Sequence, residues 1–159
     1  GSKAVLFKDK VNWKQPGAGG FEPHQDSQVW ESRYKNVKSF ISMAISINNA
    51  HAKNGCLEIV GEKHKIGLLG NKKSAIPKKI VKKLKWKKIN TKPGDVIFFD
   101  SYTPHRSGKN KTNRSRSLIY FTYNKLSDGN LKKRYYYEKR LSFPPNIERK
   151  GGKKYKYLI

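Results

Sequence analysis

Sulfur is nearly absent from this sequence, which holds one cysteine, Cys56, and one methionine, Met43. A lone cysteine excludes an intramolecular disulfide framework and a zinc site built from several thiolates, and it suits a reducing compartment such as the cytoplasm. Acidic residues are scarce as well: 11 Asp plus Glu stand against 36 Lys plus Arg, leaving a formal charge of +25. Long apolar runs are missing. The longest, Val96 to Phe99 and Leu118 to Phe121, are strand-sized, far short of the ~20 residues that span a bilayer. No secretory leader pattern is visible, so neither membrane association nor export is expected.

What is present points to a folded domain. Hydrophobic residues make up only 35%, yet seven Phe, nine Tyr and three Trp supply bulky apolar area that a disordered polycation would lack. A length of 159 residues favours one domain spanning 1–159. The charge raises nucleic acid as a partner, because cations gain affinity by releasing counterions from phosphates. However, 29 of the 36 cations are Lys, spread over the whole chain. A general drift toward lysine explains that distribution equally well, and nucleic acid is not the favoured partner. The oligomeric state is not encoded in any pattern of this kind.

The periodicity is mostly that of strands. Ala4 to Trp13 mixes β-formers with alternating polar residues, placing Phe7, Asp9 and Val11 on one face and Lys8, Lys10 and Asn12 on the other. Gln15 to Gly20 is a loop by composition, and a short extended stretch follows from Phe21 to Asp26. Ser39 to Asn48 alternates Ile41, Met43, Ile45 and Ile47 with Ser42, Ala44 and Ser46, a small-residue face that leaves room beside it. Asn54-Gly55 signals a turn before a strand at Cys56 to Val60. The segment from Asn71 to Lys92 holds ten Lys in 22 residues, with Ile76, Ile80, Val81 and Leu84 at helical spacing, and predicts a short surface helix. Val96 to Asp100 is a buried-strand run, and Arg114 to Asn124 alternates again. No long capped helix pattern and no repeat appears. These elements suit a sandwich, barrel or jelly roll.

Four residues stand apart from the scaffold: His24, Asp26, His105 and Arg116. His24 and Asp26 are two apart, so on an extended strand both leave the same face and can grip one ion. A third ligand has to come from elsewhere, and His105 qualifies, in a loop stiffened by Pro104 after the apolar run. Two imidazoles and one carboxylate leave three open positions on an octahedral metal, the ligand set of non-haem Fe(II) oxygenases. His-x-Asp by itself is weak evidence, since it arises by chance in many chains. The arginine eleven residues beyond His105 strengthens it. Arg116 shares a strand face with Arg114, Leu118 and Tyr120, where a guanidinium can hold a dicarboxylate bidentately while Ser107 donates to the same group. A metal triad backed by a cation is what a 2-oxoglutarate site requires.

The blocks Phe21 to Asp26, Asn54 to Leu57, Gly94 to Phe99 and Pro104 to Asn110, followed by Arg116, resemble the phytanoyl-CoA dioxygenase family of Fe(II)/2-oxoglutarate oxygenases. Leu6 to Asn12, the Gly-rich loop before His24, Tyr120 to Asn124 and Arg140 to Pro145 are similar to its branch of aminoethylphosphonate hydroxylases. The resemblance implies a mainly β, double-stranded β-helix (a jelly roll of cupin type) with short flanking helices. It implies Fe(II) held by His24, Asp26 and His105, with O2 and 2-oxoglutarate as cosubstrates. It places Arg116 on the distal carboxylate of 2-oxoglutarate, with Ser107, Thr122 and Lys8 as further contacts. Lys10, Asn12, Gln25 and Tyr34 are the candidate substrate contacts.

The implied reaction hydroxylates a small, anionic metabolite while 2-oxoglutarate is decarboxylated to succinate and CO2, with 2-aminoethylphosphonate as the sharpest expectation. Retention of Asp26 favours hydroxylation, because halogenating relatives replace that carboxylate with a small residue. Two departures stand out. Family members are usually longer at the N-terminus, so this chain lacks that segment or is a shortened member. Gly61-Glu62-Lys63-His64 replaces the usual Pro-Gly-Ser-His. Two alternatives stay open: an oxidative nucleic-acid demethylase using the same triad, and a non-enzymatic basic jelly roll that binds polyanions.

Overall fold

The computed structural model describes residues 1–72 and 74–155. Its two antiparallel four-stranded sheets carry the architecture. The larger sheet runs in the order β1 (Ala4–Lys14), β8 (Arg116–Lys125), β3 (Phe40–Ser46) and β6 (Val96–Asp100). The smaller runs β2 (Phe21–His24), β7 (His105–Ser107), β4 (Leu57–Ile59) and β5 (Lys87–Ile89). Neighbours in both sheets are mostly distant in sequence, as in the jelly roll expected. Among the described residues three α-helices flank the sheets: α1 (Ser27–Arg33), α2 (Lys78–Val81) and α3 (Lys132–Ser142). No helix among the described residues is long and apolar enough to cross a membrane.

The first strand departs from simple alternation. Its register with β8 shifts between Leu6 and Lys8, so that Phe7 and Lys8 both turn inward. A bulge of this kind puts two residues of one strand opposite one of its partner. Phe7 is therefore fully buried, whereas Asp9 and Val11, predicted to share its face, are exposed on the outer side. Beyond the bulge, the inward series Lys8, Lys10, Asn12 and Lys14 pairs in register with Thr122, Tyr120, Leu118 and Arg116.

The small-residue face of β3 is the interior one. Ser42, Ala44 and Ser46 are buried, while Ile41 and Ile47 lie exposed on the outer surface with Trp13 and Phe98. Apolar packing concentrates instead at one end, where Phe7 meets Trp30 and Tyr34 of α1 and its C-cap edge to face at 5.2 Å. Phe40 and Tyr135 complete this cluster at 4.6 and 4.7 Å from Phe7. Such aromatic pairs contribute ~0.5–1.5 kcal/mol each beyond their buried area.

Periodicity did not locate α1 or α3. The residues of α3 include no buried side chain and no side-chain cap, so no apolar stripe marks it. It is held by tertiary contacts such as the Tyr136 hydroxyl, which donates to the Asp9 carbonyl at 2.8 Å. The predicted helix near 76–84 shrinks to the single turn of α2 after Pro77.

Candidate metal centre

β2 ends at His24, and the chain turns there. The corner is fixed by Gln25, whose side-chain amide donates to the carbonyls of Gly67 (2.9 Å) and Tyr102 (2.6 Å) and whose Oε1 accepts from Leu69 N–H (2.7 Å). Gln25 is 1% exposed and all its polar atoms are engaged in loop anchoring, so the structure does not bring it to the cavity as a substrate contact. Asp26 then adopts helical backbone angles as the N-cap of α1. His24 and Asp26 thus share a corner rather than a strand face. An N-cap carboxylate ordinarily accepts a helix N–H; Asp26 makes no such bond and instead faces the histidines.

His105 opens β7 directly opposite His24 in the register of β2 and β7. The ligand atoms of His24, Asp26 and His105 all lie within 4.8 Å of one another. Each imidazole is oriented by a backbone carbonyl two residues upstream: Nδ1 of His24 donates to Glu22 O at 2.6 Å, and Nδ1 of His105 to Thr103 O at 3.0 Å. A carbonyl can only accept, so both rings carry a proton on Nδ1, which leaves Nε2 as the atom for ligation. Burial, with the neighbouring His105 imidazole, pulls the His24 pKa down to about 3. The ring is neutral and ligand-competent at neutral pH. Burial alone would raise the Asp26 pKa, but the Lys8 ammonium, together with the facing His105 and His24 imidazoles and Lys10, outweighs it and holds the carboxyl below its ordinary value. Two imidazoles and an ionised carboxylate are a donor set suited to a divalent metal with open positions.

Behind the triad sits Arg116, 1% exposed. One of its terminal N–H groups donates to the Gly55 carbonyl, while its Nε has no hydrogen-bond partner among the described residues. Gly55 holds φ at +71°, and a Cβ there would collide with the Gly108 carbonyl. A buried guanidinium with an orphaned donor and, among the described residues, no ion-pair partner fits an anionic ligand, because leaving it unsatisfied is costly.

The cavity between triad and arginine is lined by Ser107 and Thr122, which the sequence singled out, and by Lys8, Lys10, Asn12 and Tyr34. Thr122 is fully buried, its Oγ1 3.0 Å from Ser42 Oγ. Lys8 stands 3.9 Å from Asp26 and 4.3 Å over the Trp30 ring. Tyr34 donates its hydroxyl to Glu138 at 3.0 Å. Sequence reasoning missed Arg33 and Lys139, which helices α1 and α3 bring to the cavity. It also missed Lys14, buried beside Arg116, although the inward alternation of β1 continues to it.

The profile of the phytanoyl-CoA dioxygenase (PhyH) family matches residues 3–118. The chain belongs to this family. It is 39% identical to a methylphosphonate hydroxylase from Gimesia maris over 157 residues, covering 98% of this chain and 58% of that protein. It is 40% identical to a 2-aminoethylphosphonate dioxygenase from uncultured bacterium HF130_AEPn_1 over 156 residues, covering 98% and 59%. This PhyH chain therefore spans about six tenths of the length of these relatives. Among solved structures it resembles EctD from S. alaskensis with 2-oxoglutarate and 5-hydroxyectoine, at a TM-score of 0.69 and 21% identity over 80% of this chain and 46% of that one. That likeness supports the jelly-roll fold.

Proposed function

We propose that this PhyH chain is an Fe(II)- and 2-oxoglutarate-dependent dioxygenase, with residues 1–159 acting as one oxygenase domain, that hydroxylates a small phosphonate. The observation that carries the reading is the pairing of a preoriented His24, Asp26 and His105 triad with the orphaned donor of buried Arg116. In this reading the three ligands hold Fe(II), which activates O2 for hydroxylation as 2-oxoglutarate is decarboxylated to succinate and CO2. Arg116 and Ser107 hold the distal carboxylate of 2-oxoglutarate, and the closed aromatic end around Trp30 and Tyr34 excludes water from the reacting face.

Charge refines the substrate. Lys8, Lys10, Arg33, Arg106 and Lys139 line the cavity, and Asp26 is its one carboxylate among the described residues. Arg106 is paired with Glu58 at 2.8 Å and Arg33 lies 4.0 Å from Glu138, and the net positive lining suits phosphonate oxygens. The ammonium of 2-aminoethylphosphonate finds no carboxylate there except the metal ligand, and Lys8 already covers the Trp30 face. Methylphosphonate or another alkylphosphonate without an amine ranks first.

The test is succinate formation with Fe(II), 2-oxoglutarate and a panel of methylphosphonate, ethylphosphonate and 2-aminoethylphosphonate. Turnover led by the amine-free compounds is the expected result. A preference for 2-aminoethylphosphonate would reverse the ranking, and failure of every phosphonate to stimulate turnover would remove the substrate class.

A further inference from the structure

We infer that Lys14 is a positioning residue that makes Ser107 an obligate hydrogen-bond donor toward the distal carboxylate of 2-oxoglutarate. The inference rests on the cosubstrate reading above and concerns a residue that neither the triad nor the arginine explains. Lys14 lies opposite Arg116 in the register of β1 and β8. Both are buried, at 5% and 1% exposure, and neither forms an ion pair among the described residues. Like charges directly opposed across strands are destabilising, and burial sharpens the repulsion. Two adjacent cations kept out of water in this way mark a place where a negative charge is to be received.

The hydrogen bonds show how Lys14 contributes. Its Nζ donates to Ser107 Oγ at 2.9 Å and to the Gly108 carbonyl at 2.6 Å. Ser107 Oγ also accepts from the Phe21 N–H at 3.3 Å. A serine hydroxyl has two acceptor lone pairs and one proton. With both lone pairs taken, the hydroxyl proton is the group left to be donated, and Ser107 lines the cavity with Arg116. Without Lys14 the hydroxyl is free to rotate and accept, which makes it an indifferent partner for a carboxylate. Lys14 itself does not line the cavity, so it acts through Ser107.

The backbone keeps this arrangement tight. Gly20 and Gly55 press against residues 107 and 108 from two sides, and a Cβ at either would strike the Ser107 or Gly108 carbonyl. The notional Cβ of Gly55 also comes within 3.0 Å of Lys14 Nζ, so the ammonium has one place to sit.

Anaerobic titration of the Fe(II)-loaded protein with 2-oxoglutarate, followed by calorimetry and by the visible absorption of the complex, tests this. Lys14→Met is expected to weaken 2-oxoglutarate about tenfold, as is Ser107→Ala, and the double variant is expected to be no weaker than either alone. Affinity for 2-oxovalerate, which lacks the distal carboxylate, is expected to be unchanged, a selectivity that general loosening of the fold would not produce. Lys14→Gln, too short to reach Ser107, is the second variant if Lys14→Met does not fold, with the same expected outcome. Wild-type affinity in the Lys14 variants, additive losses in the double variant, or equal losses for 2-oxovalerate would overturn the inference alone. Absence of 2-oxoglutarate binding by the wild type would instead overturn the cosubstrate reading.

Discussion

His24 and His105 face each other across β2 and β7 with ring centroids 4.2 Å apart, each tied through Nδ1 to a carbonyl of its own strand or loop. Two imidazoles so close together, with a carboxylate beside them, have their ligand nitrogens converged before any metal arrives. Loss of one ring is expected to weaken Fe(II) or Co(II) binding by more than about 100-fold, since even outer-shell partners cost 10- to 100-fold. His24→Ala should abolish metal binding measured by calorimetry, together with 2-oxoglutarate-dependent succinate formation. Turnover that survives the change would defeat the assignment.

Arg116 offers a contrast between ligand affinity and stability. Replacing it with Met removes a charge-assisted contact of ~1.5–3 kcal/mol to the cosubstrate, so 2-oxoglutarate should bind about 10- to 100-fold more weakly. The same change removes a buried cation whose Nε is unsatisfied, and apolar replacement of such a group is often neutral or stabilising. The ligand-free Tm is therefore expected to hold or rise. A large drop in Tm with cosubstrate affinity intact would show that Arg116 is structural.

Lys14 gives a pH signature. Burial, followed by repulsion from Arg116, pulls its pKa from 10.5 to about 8, with Cys56 acting in the opposite direction. Below pH 8 the ligand-free folded state carries this charge at full cost. Between pH 8 and 10.5 the folded protein sheds the proton that the unfolded chain keeps, so its stability rises. Relative to Lys14→Met, the wild type should gain up to ~3 kcal/mol across that window. Paired thermal unfolding curves measure it; a constant Tm difference from pH 7 to 10.5 would contradict the buried charge.

Phe7 anchors the aromatic cluster that joins α1 and α3 to the large sheet. Phe7→Ala is expected to cost ~3–5 kcal/mol and, at ~2–4 °C per kcal/mol for a chain of this size, to lower Tm by about 10 °C. Thermal unfolding followed by circular dichroism checks it. A change of only a degree or two would mean that the cluster closes over the gap or is not formed.

Much of this protein is legible in order along the chain. The alternation at 4–13, 39–48 and 114–124, the turn at Asn54-Gly55 and the apolar run at 96–100 each became strand or turn close to the expected positions. These are local signals, written with a period of two. The helices at 27–33 and 132–142 were not legible because their helical state depends on packing against Phe7 and on bonds such as Tyr136 to Asp9. The bulge at Phe7 was equally hidden. One extra residue reverses the face of what precedes it, and nothing in the run Leu6-Phe7-Lys8 announces it.

The sequence by itself determined the types and spacing of the chemically distinctive residues, His24, Asp26, His105, Ser107 and Arg116, because donor identity is a property of side chains. The tertiary structure decided how they are used. It set Gln25 as a corner anchor, turned β1 so that Lys8, Lys10 and Asn12 line the cavity, and placed Lys14 behind Ser107 and beside Arg116. Those assignments depend on register between strands about a hundred residues apart, where shifting one position moves every side chain to the opposite face.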